Sequence, residues 1–249
     1  LTTAGLASGC RQTGLGNIVT EDKDFTDFSR VDIGDIFEVE IVQADSYSTT
    51  ISANEAFADY IAVSKEGETL KIYLNPRHAF TDFGLGVKTL KAKITMPALS
   101  GLRLSGATRA TVTGFRSEQD LSLDISGASS LDMNDIEVGD ADISISGASK
   151  ISGSMKADNV AFEVSGASKI ELVGSAESAV LNASGASRVN LPEFTLNDAD
   201  VRLSGASEAT VDAKGRLDAD VSEASSLYFL GNPAMGDVSV TGASTIKHK

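Results

Sequence analysis

The sequence is poor in the residues that build most catalytic and metal sites. Among 249 residues it has one cysteine, two histidines, four prolines and no tryptophan, and aromatic residues make up 6%. The core must therefore be built mainly from Val, Ile, Leu and Ala. A single cysteine excludes an intramolecular disulfide, and no Cys/His cluster has the spacing of a zinc site. No stretch approaches the ~20 apolar residues that a membrane-spanning helix needs.

Positive charge is also scarce. The chain has 21 Lys and Arg against 35 Asp and Glu, which gives a formal net charge of −14. Nucleic acid as a partner is disfavoured, because its binding requires basic patches that displace counterions from phosphates. Simple electrostatic docking on an anionic membrane is disfavoured for the same reason. The acidic balance is typical of a soluble, elongated body.

No motif of a known catalytic or cofactor site is present. The sequence lacks a GxSxG elbow, a P-loop, a dinucleotide fingerprint and the calcium-binding nonapeptide of β-rolls. We therefore expect no catalytic residue, no cofactor and no metal ion. The protein is predicted not to be an enzyme.

One short phrase recurs eight times in the second part of the chain. It reads Ser-Gly-Ala-Ser or a close variant, and its second residues are 21, 20, 19, 19, 20, 18 and 19 positions apart. These second residues are Gly106, Gly127, Gly147, Gly166, Gly185, Gly205, Glu223 and Gly242. Repetition at such a period indicates stacked coils, because one unit alone cannot bury its apolar face.

Apolar residues around each phrase alternate with polar ones. Phe162 and Val164 precede Gly166, and Ile170 and Leu172 follow it. A period of two predicts strands rather than helices. Stacked coils of about 20 residues then pair strand on strand in parallel register, about 4.8 Å apart. The predicted fold is an all-β parallel β-helix.

The repeated phrase is predicted to form the corner of each coil. Glycine permits a tight or left-handed backbone at a Gly-Ala bend, so the seven corner glycines are interpreted as structural. Glu223 replaces glycine once, and there the backbone must either differ or bear strain of about 1–2 kcal/mol. The flanking hydroxyls can bond to the turn backbone or to the equivalent serine one coil away.

The chain is divided into a short N-terminal segment and one domain. Residues 1–24 are predicted to be a signal-peptide remnant with a lipobox and a tether, although 11–24 could instead contain a first strand. Residues 25–249 form the β-helix domain, less regular over 25–100 and repetitive over 101–249. In the less regular part we expect a turn at Gly34-Asp35, a helical turn within Asn54–Tyr60 and a hairpin spanning residues 61–74.

A lipid attachment site is predicted at Cys10. The run Leu6-Ala7-Ser8-Gly9-Cys10 resembles a bacterial lipobox, in which a signal peptide is cut before a cysteine that then carries a lipid. Leu6 lies one position further from the cysteine than is usual in that motif. The alternative is an ordinary small-residue segment with an incidental cysteine.

The segment Asn75–Val87 interrupts the alternation and is the candidate binding loop. It contains Arg77, His78, Phe80 and Phe83. Long irregular loops in regular proteins often carry binding specificity. The alternative is that the two phenylalanines plug an open end or side of the solenoid.

Aspartates recur just before or within the first strand of many coils. Glycan-active β-helices of the pectin-lyase type use carboxylates in a groove, and stacked coils could supply such a pair. Recurring acids at outward positions more often form a solvated face. The residues concerned are Asp120, Asp124, Asp140, Asp142, Asp198, Asp200, Asp218 and Asp220.

Taken together, Phe28–Val42, Leu90–Ser105 and the recurring Ser-Gly-Ala-Ser resemble the bacterial family of auto-transporter adhesins with a head GIN domain. The resemblance implies a right-handed parallel β-helix in an exported, often lipid-anchored protein without established enzymatic activity. It transfers no binding residues.

The function predicted first is a non-enzymatic, extracytoplasmic lipoprotein of the bacterial cell envelope. It would serve as an adhesin-like binding or scaffolding module for a glycan or protein surface, with the membrane reached only through a lipid on Cys10. One alternative is a polysaccharide-active enzyme of the pectin-lyase type. Another is a structural spacer that polymerises through its ends. Fold class alone does not choose among these.

Overall fold

The computed structural model describes residues 17–75 and 90–249, and it shows a β-solenoid built almost wholly of strands. Each coil has one strand before the corner and one after it. Equivalent strands of neighbouring coils pair in parallel. We call the two resulting surfaces the pre-corner sheet and the post-corner sheet. The predicted all-β fold with coils of about 20 residues is confirmed.

Most coils contribute one separate strand to each sheet. The pre-corner strands are β2 (Arg30–Ile33), β8 (Gly101–Leu104), β10 (Leu121–Ile125), β12 (Ala141–Ile145), β17 (Arg216–Val221) and β19 (Ala234–Val240). The post-corner strands are β3 (Glu38–Gln43), β9 (Arg109–Thr113), β11 (Ser130–Glu137), β16 (Glu208–Ala213), β18 (Ser226–Leu230) and β20 (Thr245–His248). Three longer strands run from the post-corner sheet of one coil into the pre-corner sheet of the next: β13 (Lys150–Val164), β14 (Lys169–Ala183) and β15 (Arg188–Leu203).

The core is a stack of equivalent apolar residues. In the pre-corner sheet Ile143 pairs with Phe162, which pairs in turn with Leu181, and all three are buried. Residues two apart on a strand face the same side, so the apolar positions recognised in the sequence all point inward. Neighbouring coils thus bury one another's apolar faces.

The corner bends at Gly-Ala, as the sequence predicts. Gly127 has φ +77°, and both Gly127 and Ala128 are exposed while Ser129 is buried. The amide N–H of Ala128 donates to the carbonyl oxygen of Gly106 in the preceding corner (2.7 Å). A Cβ atom on Gly127 would lie 2.4 Å from that same oxygen. Glycine is therefore favoured both by its left-handed backbone and by the close stacking of corners.

Glu223 adopts the corner conformation of the glycines it replaces. Its φ is +66°, so of the two outcomes the sequence allowed, the strained backbone is the one observed. The amide of Ala224 still donates to the oxygen of Gly205, at 2.9 Å. The corner is retained with an unfavourable residue.

A ninth corner lies at Asp35, which the sequence analysis placed in a turn but not in a coil. Asp35 has φ +66°, and its carbonyl oxygen accepts the amide N–H of Ala107 (2.6 Å). The flanking strands pair in parallel with those of the next coil, β2 with β8 and β3 with β9. The first coil of the solenoid therefore lies within the less regular region.

The N-terminal end is closed by strands that reverse direction. The elements concerned are β1 (Ile18–Lys23), β4 (Ser48–Asn54), α1 (Glu55–Ala58), β5 (Ile61–Glu66), β6 (Thr69–Leu74) and β7 (Leu90–Met96). Strands β6 and β7 continue the stack in parallel, whereas β5 is antiparallel to β6 and β4 is antiparallel to β7. Strand β1 then pairs antiparallel with β4.

Helix α1 connects the two sheets at this end, and its Phe57 is buried in the core. The helical turn and the β5–β6 hairpin were both predicted from the sequence. For residues 11–24 the sequence allowed either a tether or a first strand, and a strand is observed from Ile18 onward. No helix within the described ranges is long and apolar enough to cross a bilayer.

Candidate functional site

Several residues predicted to act in function lie outside the described residues. They are Cys10, the predicted lipid site, and Arg77, His78, Phe80 and Phe83 of the candidate binding loop. These assignments remain predictions. In the chain, residues 76–89 lead directly into β7, whose outward side chains belong to the surface described below.

The last hydroxyls of the repeated phrase are of two kinds: some close their own turn, whereas those of Ser129, Ser149 and Ser168 are buried without a hydrogen-bond partner among the described residues. The last hydroxyl of the phrase points inward, and Ser187 and Ser207 donate to the carbonyl oxygens of Ser184 (2.6 Å) and Ser204 (2.8 Å). Thr108, at the same position, donates to the carbonyl oxygen of Ser105 (2.9 Å). Buried hydroxyls that close their own turn in this way stabilise the corner.

Some of the recurring aspartates form a ladder at the start of the pre-corner strands. An Asp120 carboxylate oxygen accepts the backbone N–H of Asp140 (3.1 Å), and an Asp140 carboxylate oxygen accepts the side-chain amide of Asn159 (2.8 Å). Ser178 then donates to Asn159 (2.6 Å). Asp198 accepts the backbone N–H of Arg216 in the same manner (2.7 Å). These carboxylates join one coil to the next.

Other aspartates are held by arginines. The carboxylate of Asp218 accepts from the Arg216 guanidinium (2.6 Å) and from the backbone N–H of Asp237 (2.7 Å). These two contacts lower the pKa of Asp218 to about 2. Asp200 and Asp124 form ion pairs with Arg202 and Arg103.

A general acid for glycoside cleavage needs a raised pKa, so Asp218 does not fit that role. Across residues 17–75 and 90–249, no group of three or more His, Cys, Asp or Glu side chains is placed to hold a metal ion. The sequence interpretation of the aspartates as a solvated structural face agrees with these contacts.

A row of basic side chains crosses the outer surface of the post-corner sheet. The pairing register places Lys91 beside Glu38, Glu38 beside Arg109 and Arg109 beside Ser130. From Ser130 the row continues to Lys150, Lys169 and Arg188. We call Lys91, Arg109, Lys150, Lys169 and Arg188 the basic row.

The N-terminal part of the basic row lies in an open groove of about 840 Å³. We call it the post-corner groove. Its charged and hydroxyl-bearing lining is Glu38, Glu40, Thr50, Ser52, Lys91, Lys93, Arg109, Thr111, Thr113, Ser130, Asp132, Lys150 and Ser152. Four basic side chains against three acidic ones make this groove weakly positive on a chain whose net charge is −14.

Most of the groove's basic groups are paired, and Arg109 is the exception. Lys91 contacts Glu38 (2.9 Å), Lys93 contacts Glu40 (3.3 Å) and Lys150 contacts Glu171 (2.8 Å). Hydrogen bonds from Lys150 and Lys169 lower the pKa of Glu171. Arg109 is exposed at the centre of the groove and forms no ion pair with any residue of the described ranges. Its guanidinium is therefore available to an anionic ligand.

The pre-corner sheet presents a contrasting surface. A smaller groove of about 420 Å³ lies on it near the corners. Glu163, Asn182, Arg202 and Asp220 line it. Asn182 donates to Glu163 (2.6 Å), and Arg202 is held by Asp200 (2.6 Å). In this groove the acidic Glu163 and Asp220 outnumber the one basic residue, Arg202.

The basic row was not identified from the sequence as a site, because its members are about 20 residues apart. A signal was present: Arg109, Lys150, Lys169 and Arg188 each follow directly after the last residue of a corner phrase. Stacking of the corners then brings this position of every coil into one line.

The fold of this chain is shared by solved structures of low sequence identity. A protein from Parabacteroides distasonis described as a putative lipid binding protein aligns with TM-score 0.83 and 19% identity over 94% of this chain and 97% of its own. A putative adhesin from the same organism gives TM-score 0.84 and 15% identity over 94% and 98%. A putative adhesin from Parabacteroides merdae gives 0.81 and 16% over 95% and 98%.

Sequence comparison defines the family. A search of curated proteins found no similar sequence. The family profile described as "Putative auto-transporter adhesin, head GIN domain" matches residues 27–233, which include the first coil at Asp35 and every later corner up to Glu223. The resemblance seen in the repeated phrase is confirmed, and the chain belongs to this head GIN domain family.

Proposed function

We propose that this protein is a non-enzymatic, extracytoplasmic binding module of the bacterial cell envelope that holds an acidic glycan in the post-corner groove. The observation that carries the proposal is the basic row, with Arg109 at the centre of the groove and its guanidinium without an ion-pair partner among the described residues. Membership of an adhesin family and the fold shared with adhesin-type structures support a binding role.

The chemistry of the groove suits a carboxylated sugar polymer. A guanidinium presents a planar fork of donors that matches a carboxylate in bidentate fashion. Thr111 and Ser130 lie beside Arg109 and supply hydroxyls that can bond to sugar hydroxyls. Outward side chains along one row are about 4.8 Å apart, so a repeating ligand meets a repeating set of groups.

A binding measurement with matched charge reversals tests the proposal. Carboxylated and neutral glycans would be compared by glycan array and then by titration calorimetry with wild-type protein. Arg109→Glu is expected to weaken binding of the carboxylated glycan about tenfold to a hundredfold, because a charge-assisted contact is replaced by repulsion. The control is Arg202→Glu, an equivalent change on the pre-corner sheet. Equal loss in both variants, or preference for neutral glycans, would contradict the proposal.

The candidate loop is proposed to extend the same site, because residues 76–89 lead into β7 and hence to Lys91 and Lys93 of the groove. Replacing residues 77–87 by a short Gly/Ser linker should weaken glycan binding and leave the circular-dichroism spectrum and melting temperature nearly unchanged. Unaltered affinity in the folded variant would remove the loop from the site and leave the groove proposal intact.

Anchoring through Cys10 is proposed as the route to the membrane. Expression of the precursor in a bacterial host should give a product that partitions with membranes. Its intact mass should correspond to a chain that begins at Cys10 and carries a lipid. Cys10→Ser should release it into the soluble fraction. A mature product that retains residues 1–9 would contradict lipid anchoring.

Turnover of any member of a polyuronate panel would contradict the non-enzymatic assignment.

A further inference from the structure

Among the described residues, none covers the core at the last coil. Strand β19 pairs with β17, and β20 pairs with β18, on one side only within the described chain. The inward residues of β17 are 0–3% exposed (Leu217, Ala219 and Val221). Their partners on β19 are each 46% exposed (Met235, Val238 and Val240). The same inward position thus changes from buried to half-exposed in one coil.

Two free strand edges surround this apolar surface. The outer edges of β19 and β20 carry backbone N–H and C=O groups with no pairing partner among the described residues, and such edges readily accept another strand. Three residues of β19 between its apolar ones are small: Ala234, Gly236 and Ser239. We call the outer face of β19, β20 and the corner between them the open end.

The geometry of the corner allows a second copy of the chain to pair with the free edges of β19 and β20 at once. A two-fold axis through the Gly242-Ala243 corner, lying in the plane of the coil, maps the core of one copy onto the core of the other. Because β19 runs towards the corner and β20 runs away from it, this axis places β19 of one copy antiparallel to β20 of a second copy. Both junctions are then antiparallel, which is the more stable pairing.

Charge complementarity selects this arrangement over one that pairs β19 with itself. Asp237 is the one acidic residue of the last coil; its side chain is fully exposed and lies 3.9 Å from the Arg216 guanidinium, while β20 and the final residue carry Lys247, His248 and Lys249. Residues equally far from Gly242 face each other across the axis, so Asp237, five residues before Gly242, meets Lys247, five residues after it. Pairing β19 with β19 would instead bring two Asp237 carboxylates together.

The opposite end does not offer an equivalent partner surface. There α1 and the antiparallel strands cover the core, and the inward Ile51 and Ala53 of β4 are buried. Its outermost strands, β1 and β5, run in opposite senses relative to their sheets, so a head-to-tail junction could not be antiparallel in both. A closed pair rather than a filament follows.

We propose that two copies of this chain associate tail to tail through their open ends, pairing β19 of each copy with β20 of the other and joining the two cores into one. This proposal is independent of the glycan site, which lies on the outer face of the post-corner sheet. The dimer would be an elongated rod with capped ends and two grooves.

Association of the 249-residue chain can be measured by sedimentation equilibrium and light scattering. The expected species has twice the monomer mass of 25.8 kDa. Val238→Lys with Val240→Lys should give a folded monomer, because two charges would be buried at the junction. The matched control is Val180→Lys, since Val180 is 40% exposed on the outer surface of the pre-corner sheet; it should leave the dimer unchanged.

A charge swap tests the pairing without disturbing the apolar residues. Asp237→Lys alone and Lys247→Asp alone should each raise the dissociation constant about tenfold. The double variant Asp237→Lys/Lys247→Asp should restore it, because the opposite charges again face each other. If the wild-type chain is still monomeric at about 100 µM, its dissociation constant lies above that concentration. That result would overturn the proposal. Growth of fibres, or failure of the double variant to restore association, would also overturn it.

Discussion

The two ends of the solenoid finish the same stack in different ways. At the N-terminal end the strands reverse direction, and α1 places Phe57 in the core. At the C-terminal end the last coil keeps the sequence pattern and strand direction of all the others, so its inward residues are left half-exposed. Closure therefore comes from a change of topology rather than from polar residues in a terminal repeat. An end that only repeats the pattern is the one that we propose to be an interface.

The largest expected effect contrasts buried apolar residues at the two ends. Phe57→Ala should lower the free energy of unfolding by about 3–5 kcal/mol, because a large buried ring is removed from the N-terminal closure. Ile246→Ala at the open end should cost about 1 kcal/mol or less, since its side chain is only partly buried there. Both would be measured by urea denaturation in the Val238→Lys/Val240→Lys background, so that association does not contribute. Equal costs would show that the two ends are equally closed.

A second contrast separates corner stacking from backbone strain. Gly166 has φ +75° and stacks so closely that an added Cβ atom would lie 2.4 Å from the oxygen of Gly147. Gly67, in the N-terminal hairpin, has φ +58° with no atom within 4 Å of such a Cβ. Gly166→Ala should destabilise by about 2–4 kcal/mol and Gly67→Ala by about 1 kcal/mol. Similar losses of stability in thermal denaturation would mean that the close stacking of corners adds nothing to the cost of the left-handed backbone.

Replacing the unfavourable corner residue should stabilise the coils near the open end. Glu223→Gly relieves a left-handed backbone and should raise the free energy of unfolding by about 0.5–1 kcal/mol, after allowance for the greater freedom of glycine in the unfolded chain. Glu223→Ala is the control, because it removes the carboxylate and keeps the strain. A gain in the alanine variant as large as in the glycine variant would assign the effect to charge.

The smallest expected effect is the pH dependence of the Asp218 contacts. The folded pKa of about 2 lies below the ordinary aspartate value. The stabilisation is therefore complete above about pH 4 and is lost as the pH falls towards 2. Asp218→Asn should reduce the difference in unfolding free energy between about pH 5 and pH 2.5. Asp220→Asn, on the same strand and without an ion pair in the described ranges, should not. The effect is small because the pair is exposed to solvent.

The coils could be predicted because their determinants are local. Phe162, Val164, Gly166, Ile170 and Leu172 lie within eleven consecutive residues, and their alternation alone specifies two strands and a bend. The same alignment limited the backbone at Glu223 to two outcomes, a different conformation or a strained one. These features depend only on backbone chemistry and on which side of a strand a residue faces.

The features that the sequence did not reveal depend on contacts between distant residues. The corner at Asp35 lacks the repeated phrase, although Val31, Ile33, Val39 and Ile41 have the spacing of the other coils around it. Strands β4 and β5 reverse direction because of the strands with which they pair. The alternation of apolar and polar residues does not encode the pairing partner. The groove around Arg109 combines residues from strands far apart in the chain. It can therefore be recognised only once the coils are stacked.

The residue-by-residue register of the stack has a consequence for how such a protein can vary. Each corner amide, core side chain and ladder group contacts its own equivalent one coil away. Loss or gain of a whole coil would recreate each of these contacts between like residues, whereas a half-coil would exchange inward for outward positions. Rod length can thus change in steps of one coil by duplication or deletion within a gene. Such steps would alter the distance between the closed end and the open end while leaving both intact.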